Sequence, residues 1–335
     1  MLTQHLINSA DTKTNSFTPP DKGTYWYHSH HISHEQVARG MMAPLIVEDE
    51  TPPDVDCDIT VLMSDWQMHE DGSLTDKFTD MHSVAQGGYM GNFACAFLSQ
   101  NQVKMGDRVR LRLINAATNR IFHTQVSGVR GSLVALDGMA LSDPRPTTEL
   151  VLAPAQRADL IVDIIGPVAF DMVTRQGPYR LADLAVIGTN ADRQTRPIMA
   201  LSKPSLPTPA DPGQHLTLTM MGGAMGGRLD GDNIWAFNNV SDLQADPFGS
   251  FQNGETVRIT FVNDTSFPHG IHLHGHHFYE VDKNGALGDL RDTALVDAGD
   301  SRDIIRVFDN SGRWLLHCHM LSHAVGGMRT WVNVA

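Results

Sequence analysis

The chain reads as short β-branched, aromatic and aliphatic runs, broken every few positions by Gly, Pro, Asp or Asn. Such runs cover Thr24–His28, Leu45–Val47, Ile59–Leu62, Val109–Ile114, Leu160–Ile164, Val257–Val262 and Ile304–Phe308. Apolar or alternating runs of this length, bounded by turn residues, predict strands, and no long segment holds a helical period. The pattern therefore predicts an all-β protein built of sandwiches, with one short helical turn over His34–Ala38. Pro52–Pro53, after the acidic Glu48–Asp49–Glu50, and the Pro-rich stretch Pro197–Pro212 predict two linkers. They leave segments 1–50, 56–196 and 205–335. The last two have the size of a complete sandwich; the first is too short to close one alone.

The 335 residues are 41% hydrophobic and 19% charged, which predicts a packed globular chain rather than a disordered one. A net charge of -13 argues against nucleic acid or an anionic membrane as partner. No apolar stretch reaches the roughly 18–20 residues that span a bilayer. The opening MLTQHLINSADTKTN lacks the charged-then-apolar pattern of an export signal. Histidine changes the picture: there are 17, against three cysteines. Twelve fall in three windows, four in residues 28–34, five in 269–277 and three in 317–323, which points to metal.

Strand parity sorts these residues. On an extended segment His317 and His319 share one face while Cys318 points to the other, so one strand can feed two sites back to back. Cys318, His323 and Met328 offer a thiolate, an imidazole and a thioether, and a blue-copper site needs one more imidazole. His269 has the opposite parity to His272 and His274 and can join Cys318. His272 and His274 then join His317 and His319, and His28 and His30 add another same-face pair. The result is one site with sulfur and nitrogen donors and one with six histidines.

The motifs HSH, HxxHLHGH and HCHxxxHxxxxM resemble those of the multicopper oxidases. The likeness extends to Phe17–His30 (FTPPDKGTYWYHSH), Glu35–Gly40, Val61–Trp66 and Arg110–Asn115, and so runs through essentially the whole chain. It is closest in kind to bacterial three-domain laccase-like and cuprous-oxidase-like members. The resemblance implies tandem cupredoxin-like Greek-key β-sandwich domains, the first incomplete. It implies that His269, Cys318, His323 and Met328 hold type 1 copper and His272 type 2 copper. His274, His317 and His30 would hold one type 3 copper, and His28 and His319 the other. Cys318, His317 and His319 would then be the catalytic electron path, feeding four one-electron oxidations to O2 to give water. The implied donors are a phenol, an aromatic amine or Cu(I), the axial Met328 keeping the type 1 potential moderate, and the implied location is the periplasm.

Family members open with an HxHG motif that this sequence lacks, Leu2–Gln4 resembling the segment that follows it. Six of the eight expected trinuclear histidines are present, and His5, His31 and His34 are poor substitutes. The expectation is an N-terminally truncated oxidase that builds type 1 copper but not a complete trinuclear cluster. The rivals are a copper-binding or electron-transfer protein with type 1 copper only, and a non-functional fragment. A cupin reading, with His274, His276 and Glu280 as HxHxxxE, leaves Cys318 unexplained. His276 and His277 are expected to be supporting residues, and His69, His82, His123 and His215 ordinary ones. Met81, Met90, Met220, Met221 and Met225 could offer thioethers to Cu(I) but more simply fill core gaps. Cys57 and Cys95 could pair in an oxidising compartment. Ala324 stands where some metal-oxidising relatives carry a carboxylate, so no proton-relay acid is assigned.

Overall fold

The computed structural model describes residues 5–8, 10–191, 196–224 and 234–335; Leu2–Gln4 and Met225 lie outside the described residues. Each expected run is part of a strand: Gly23–His28, Met42–Val47, Cys57–Trp66, Arg108–Asn115, Arg157–Thr174, Glu255–Asn263 and Ser301–Phe308. The expected helical turn is Ser33–Ala38. The described helices beyond it are the equally short Met81–Val84 and Leu321–Val325.

Pairing sorts the strands into four sheets. Gly23–His28 and Met42–Val47 form an antiparallel ribbon, with Trp26 opposite Pro44 and His28 opposite Met42. Strands between Cys57 and Thr189 make one nine-stranded sheet. It stays continuous because Arg157–Thr174 carries register breaks at Asp159/Leu160 and Ile164/Ala169, which let it bend while pairing on both sides. It closes over a core that includes Leu111, Leu113, Phe122, Leu160 and Phe170. Strands between Gln214 and Val334 form a six-stranded and a five-stranded sheet around Leu218, Ile259, Phe261, Ile271 and Phe308. The architecture is the all-β, tandem cupredoxin-like arrangement that the resemblance implied.

The strand Arg108–Asn115 alternates charged and apolar residues, a pattern that ordinarily marks a face open to water. Here both faces are buried. Val109, Leu111 and Leu113 enter the core, Arg110 and Arg112 lie under the ribbon, and Arg108 pairs with Asp163 and reaches the Arg196 carbonyl. Asp159 accepts from Thr24 of the ribbon at 2.9 Å, from Arg110 at 2.6 and 3.0 Å, and lies 3.4 Å from Arg112. Arg110 also reaches Asp49 at 2.8 Å, just beyond the ribbon. Close approach is required at Gly23 as well: its φ is +144°, and a Cβ there would sit 2.3 Å from the Gly138 carbonyl oxygen.

Two alternatives that the sequence leaves open are decided by the structure. Cys57 and Cys95 are both free thiols. The register sets Cys95 opposite Ser64, seven residues along the strand from Cys57. At about 3.3 Å per residue that is roughly 23 Å, far beyond the reach of a disulfide. Among the methionines, Met220 is a core residue while Met81 and Met90 are exposed.

Replacing Asp159 by Ala leaves two buried guanidinium groups facing each other without their shared anion. The expected cost is about 3–5 kcal/mol in chemical denaturation, with the ribbon becoming sensitive to limited proteolysis. An unchanged denaturation midpoint would show that the ribbon is held by something else.

Candidate metal centres

The strands His269–Leu273 and Gly312–Cys318 pair antiparallel, with Ile271 opposite Cys318 and His272 opposite His317. Opposed residues share a face and successive residues alternate. His269, Ile271 and Cys318 thus turn into the sandwich core, each at 0% exposure, while His272 and His317 turn outward. His323 comes to the inner face from the helix Leu321–Val325.

On the inner face Cys318 Sγ lies 3.6 Å from His269 Nδ1 and 3.8 Å from His323 Nδ1, and the two Nδ1 atoms are 3.0 Å apart. A triangle of this size has a centre about 2 Å from each corner, close to a metal–imidazole bond length. Both outer nitrogens are engaged. His323 Nε2 donates to the Gln86 carbonyl at 2.8 Å. His269 Nε2 meets Thr265 Oγ1 at 2.9 Å, and that hydroxyl has its own acceptors in Asn263 and Phe267. The ring protons therefore sit outside, and two Nδ1 lone pairs converge with the sulfur. Burial pushes the Cys318 thiol up to about 12, His323 down to about 4 and His269 well below its ordinary value. Neutral rings and a thiol that a cation can deprotonate make a soft donor set that fits copper. Met328 is buried beside them, its amide bonded to the His323 carbonyl and its own carbonyl to the Cys318 amide, each at 3.0 Å.

The outer face carries the six remaining imidazoles. The ligand atoms of His30, His274 and His317 lie within 4.8 Å of one another, with His274 Nε2 and His317 Nε2 at 3.1 Å. His28 Nε2 and His319 Nε2 are 3.3 Å apart. The His272 ring lies against both groups, its centroid 4.8 Å from His274 and 5.5 Å from His319. The Nδ1 atoms of His28, His272 and His317 donate to the carbonyls of Ser29, Asp292 and Cys318 at 3.0, 2.9 and 2.8 Å. Those bonds fix the tautomers and leave Nε2 as the donor to a metal. Buried His319 Nδ1 has no partner. Burial, reinforced by neighbouring rings, lowers His28 to about 3, and burial lowers His30 to about 4. The same desolvation holds His274, His317 and His319 well below the ordinary histidine range.

Other sequence candidates stay apart. His5 and His31 are exposed, and His34 is buried in its helix. His276 Nδ1 bonds the His274 carbonyl, its ring packs on Phe308 and Trp314, and Glu280 lies 3.9 Å from Arg302. The cupin trio does not converge. His277 donates to the Asp137 carbonyl at 2.9 Å. His69, His82 and His123 are exposed, and His215 bonds Thr260.

Four contributors escaped the sequence reading. Trp235 lies over His323 with ring centroids 4.4 Å apart and donates its indole N–H to the Val84 carbonyl. Gln86 offers only a backbone oxygen. Asp292 and Arg157 lie behind His272, paired at 2.8 Å. Burial alone would raise Asp292, but Arg157 and His272 hold it well below the usual carboxylate range. None belongs to a local motif, so only contacts between distant segments reveal them.

Two outcomes follow from this geometry. Rings whose folded pKa lies below the unfolded value take up protons mainly on unfolding. The metal-free protein therefore loses stability as pH falls from about 6.5 towards 3–4. Denaturation midpoints measured across that range should fall steadily, and a flat profile would contradict the buried, neutral rings. Cys318→Ser should abolish the intense visible thiolate-to-copper band that Cu(II) gives the wild-type chain, and retention of the band would exclude this sulfur as ligand.

Multicopper oxidase family models match residues 1–52, 58–187 and 209–335. The chain is 29% identical to the multicopper oxidase MmcO of Mycobacterium tuberculosis, over 95% of this chain and 70% of that protein. It is 27% identical to Laccase-1 of Fomitopsis schrenkii, over 97% of this chain and 71% of that one. Among solved structures, Lac15 from a marine microbial metagenome is 50% identical, with a TM-score of 0.79 over 94% of this chain and 75% of Lac15. With this likeness running from the ribbon to the last strand, and two converging donor sets suited to copper, the chain belongs to the multicopper oxidases, copper-dependent oxidoreductases that couple oxidation of a reducing substrate to reduction of O2.

Proposed function

We propose that residues 1–50 are the C-terminal part of a first cupredoxin-like domain, that 56–196 and 205–335 are the second and third, and that the chain is a laccase-like or cuprous-oxidase-like enzyme. Its donors are small one-electron reductants: a phenol, an aromatic amine or Cu(I). His269, Cys318, His323 and Met328 would hold type 1 copper. His272 would hold type 2 copper, with His30, His274 and His317 at one type 3 position and His28 and His319 at the other. Bound copper supplies the one-electron redox chemistry at the sulfur site and the reduction of O2 at the imidazole cluster. The proposed setting is the periplasm, as for the exported bacterial oxidases the chain resembles.

The observation that carries this reading is the alternation at 317–319. Cys318 faces one donor set while its two neighbours face the other, so a single backbone links the sites. The His317 Nδ1–H bond to the Cys318 carbonyl closes a second, shorter branch to that ring. Trp235 and the surrounding core keep water from the sulfur. On the outer face, a cleft of about 810 Å³ opens beside His272, bordered by Trp26, Leu45 and Trp314, and gives a small neutral molecule a way in.

The donor end has its own constraint. His323 is fully buried and its outer nitrogen is spent on Gln86, so a substrate cannot hydrogen-bond to that ring without moving the 84–86 segment. A groove of about 460 Å³ runs alongside, bordered by Met81, Val84, Ile234, Asp242 and Val325. Its apolar walls and exposed thioether suit small aromatic donors or Cu(I). The type 1-only reading is favoured by one observation: the outer site gathers six imidazoles among the described residues, where the family pattern implies eight.

One experiment separates the two. The chain is loaded with Cu(II), its spectrum recorded, and O2 uptake measured with a methoxyphenol, an aromatic amine and Cu(I). The oxidase reading expects a blue band with a near-UV shoulder from a bridged copper pair, and O2 uptake that His274→Ala abolishes while the blue band persists. A blue band with neither shoulder nor O2 uptake would establish the electron-transfer reading.

A further inference from the structure

We infer that Arg157 is a positioning residue for the outer site: its guanidinium holds His272, through Asp292, in one frame with the ribbon that carries His28 and His30. The inference rests on reading those histidines as copper ligands. Arg157 is buried, and all five of its N–H groups are used. Nε donates to the Thr24 carbonyl at 3.1 Å. Nη1 donates to the Ala155 carbonyl and to Asp292 Oδ1, each at 2.9 Å. Nη2 donates to the Asp137 carbonyl and to Asp292 Oδ2, each at 2.8 Å. The Tyr25 ring lies under the guanidinium carbon at 5.6 Å.

These partners stand at the roots of the ligand arms. Thr24 belongs to the strand that ends at His28. Asp292 gives its carbonyl to His272 Nδ1 at 2.9 Å, and its Oδ1 accepts from Thr293 Oγ1 at 2.8 Å. Thr293 in turn is the register partner of His272, its hydroxyl 3.1 Å from the same Nδ1. One planar fork thus joins the ribbon, the nine-stranded sheet and the strand beside His272. A lysine in its place offers three donors about a point and cannot match two carboxylate oxygens and three carbonyls at once. The Arg110–Asp159 network provides an internal comparison: it clamps the ribbon to the nine-stranded sheet, and none of its recorded bonds reaches Asp292 or His272.

The test compares Arg157→Lys and Asp292→Asn with Asp159→Asn. In the metal-free protein, ¹⁵N spectra of the imidazoles report which nitrogen of His272 carries the proton. The wild type is expected to hold it on Nδ1, with mixed tautomers in Arg157→Lys and Asp292→Asn and the wild-type form kept in Asp159→Asn. In Cu(II) titrations, the first two variants are expected to keep the Cys318 band and to lose about 10- to 100-fold in affinity at the outer site. Unchanged tautomer and affinity would overturn the inference, as would equal losses at both sites, since either marks a merely structural residue. Failure of both variants to fold would overturn it too, because positioning requires that the fold survive the change. If the wild type binds no copper at the outer site, the ligand reading falls, while the tautomer measurement still decides what Arg157 does.

Discussion

Everything in the two sites depends on the register between His269–Leu273 and Gly312–Cys318. Setting Ile271 against Cys318 commits one thiol and one histidine to the dry interior and the neighbouring histidines to the opposite face. Because side chains in a strand alternate with period two, a slip of one residue would exchange the faces wholesale. Ile271 and Leu316 oppose such a slip, since both are fully buried core residues that a shift would turn outward. The geometry of the site is therefore pinned by ordinary hydrophobic burial, and the candidate metal donors ride on it.

The two faces solve different problems. The inner site is surrounded by core side chains, with Trp235 over the rings, and its polar atoms are satisfied outward through Gln86 and Thr265. Burying such groups is costly unless each finds a partner, and each ring does so with one nitrogen while keeping the other free. The outer site would lie on an open sheet face but for the ribbon, which brings His28 and His30 and stacks Trp26 on His28 at 4.5 Å. Desolvation then holds His28, His30, His274, His317 and His319 neutral, the state in which imidazole binds metal.

The nine-stranded sheet carries none of the candidate metal donors, yet it supplies the frame. Arg110 and Arg112 fasten the ribbon through Asp159, Arg157 joins the ribbon to Asp292, and the carbonyls of Val84 and Gln86 cap Trp235 and His323. Buried ion pairs contribute little net stability, because desolvation offsets most of their attraction. Their directional geometry instead fixes how separately folded parts meet. That is the useful property where candidate ligands such as His28 and His319 arrive from positions 291 residues apart in sequence.

The sequence by itself determined the strands, the two-sided use of 317–319 and the sorting of histidines by parity, because each follows from local periodicity and fixed spacing. It also showed the donor chemistry, since a lone cysteine between two histidines restricts the plausible ions. The tertiary structure decided what periodicity cannot encode. It turned the charged face of Arg108–Asn115 into a buried latch, kept Cys57 and Cys95 far apart, and spent the outer nitrogen of His323 on a backbone carbonyl. Arg157 and Asp292 are 135 residues apart and belong to no local pattern. Whether two such charges meet depends on how whole sheets dock, a long-range packing outcome that no single segment of the chain contains.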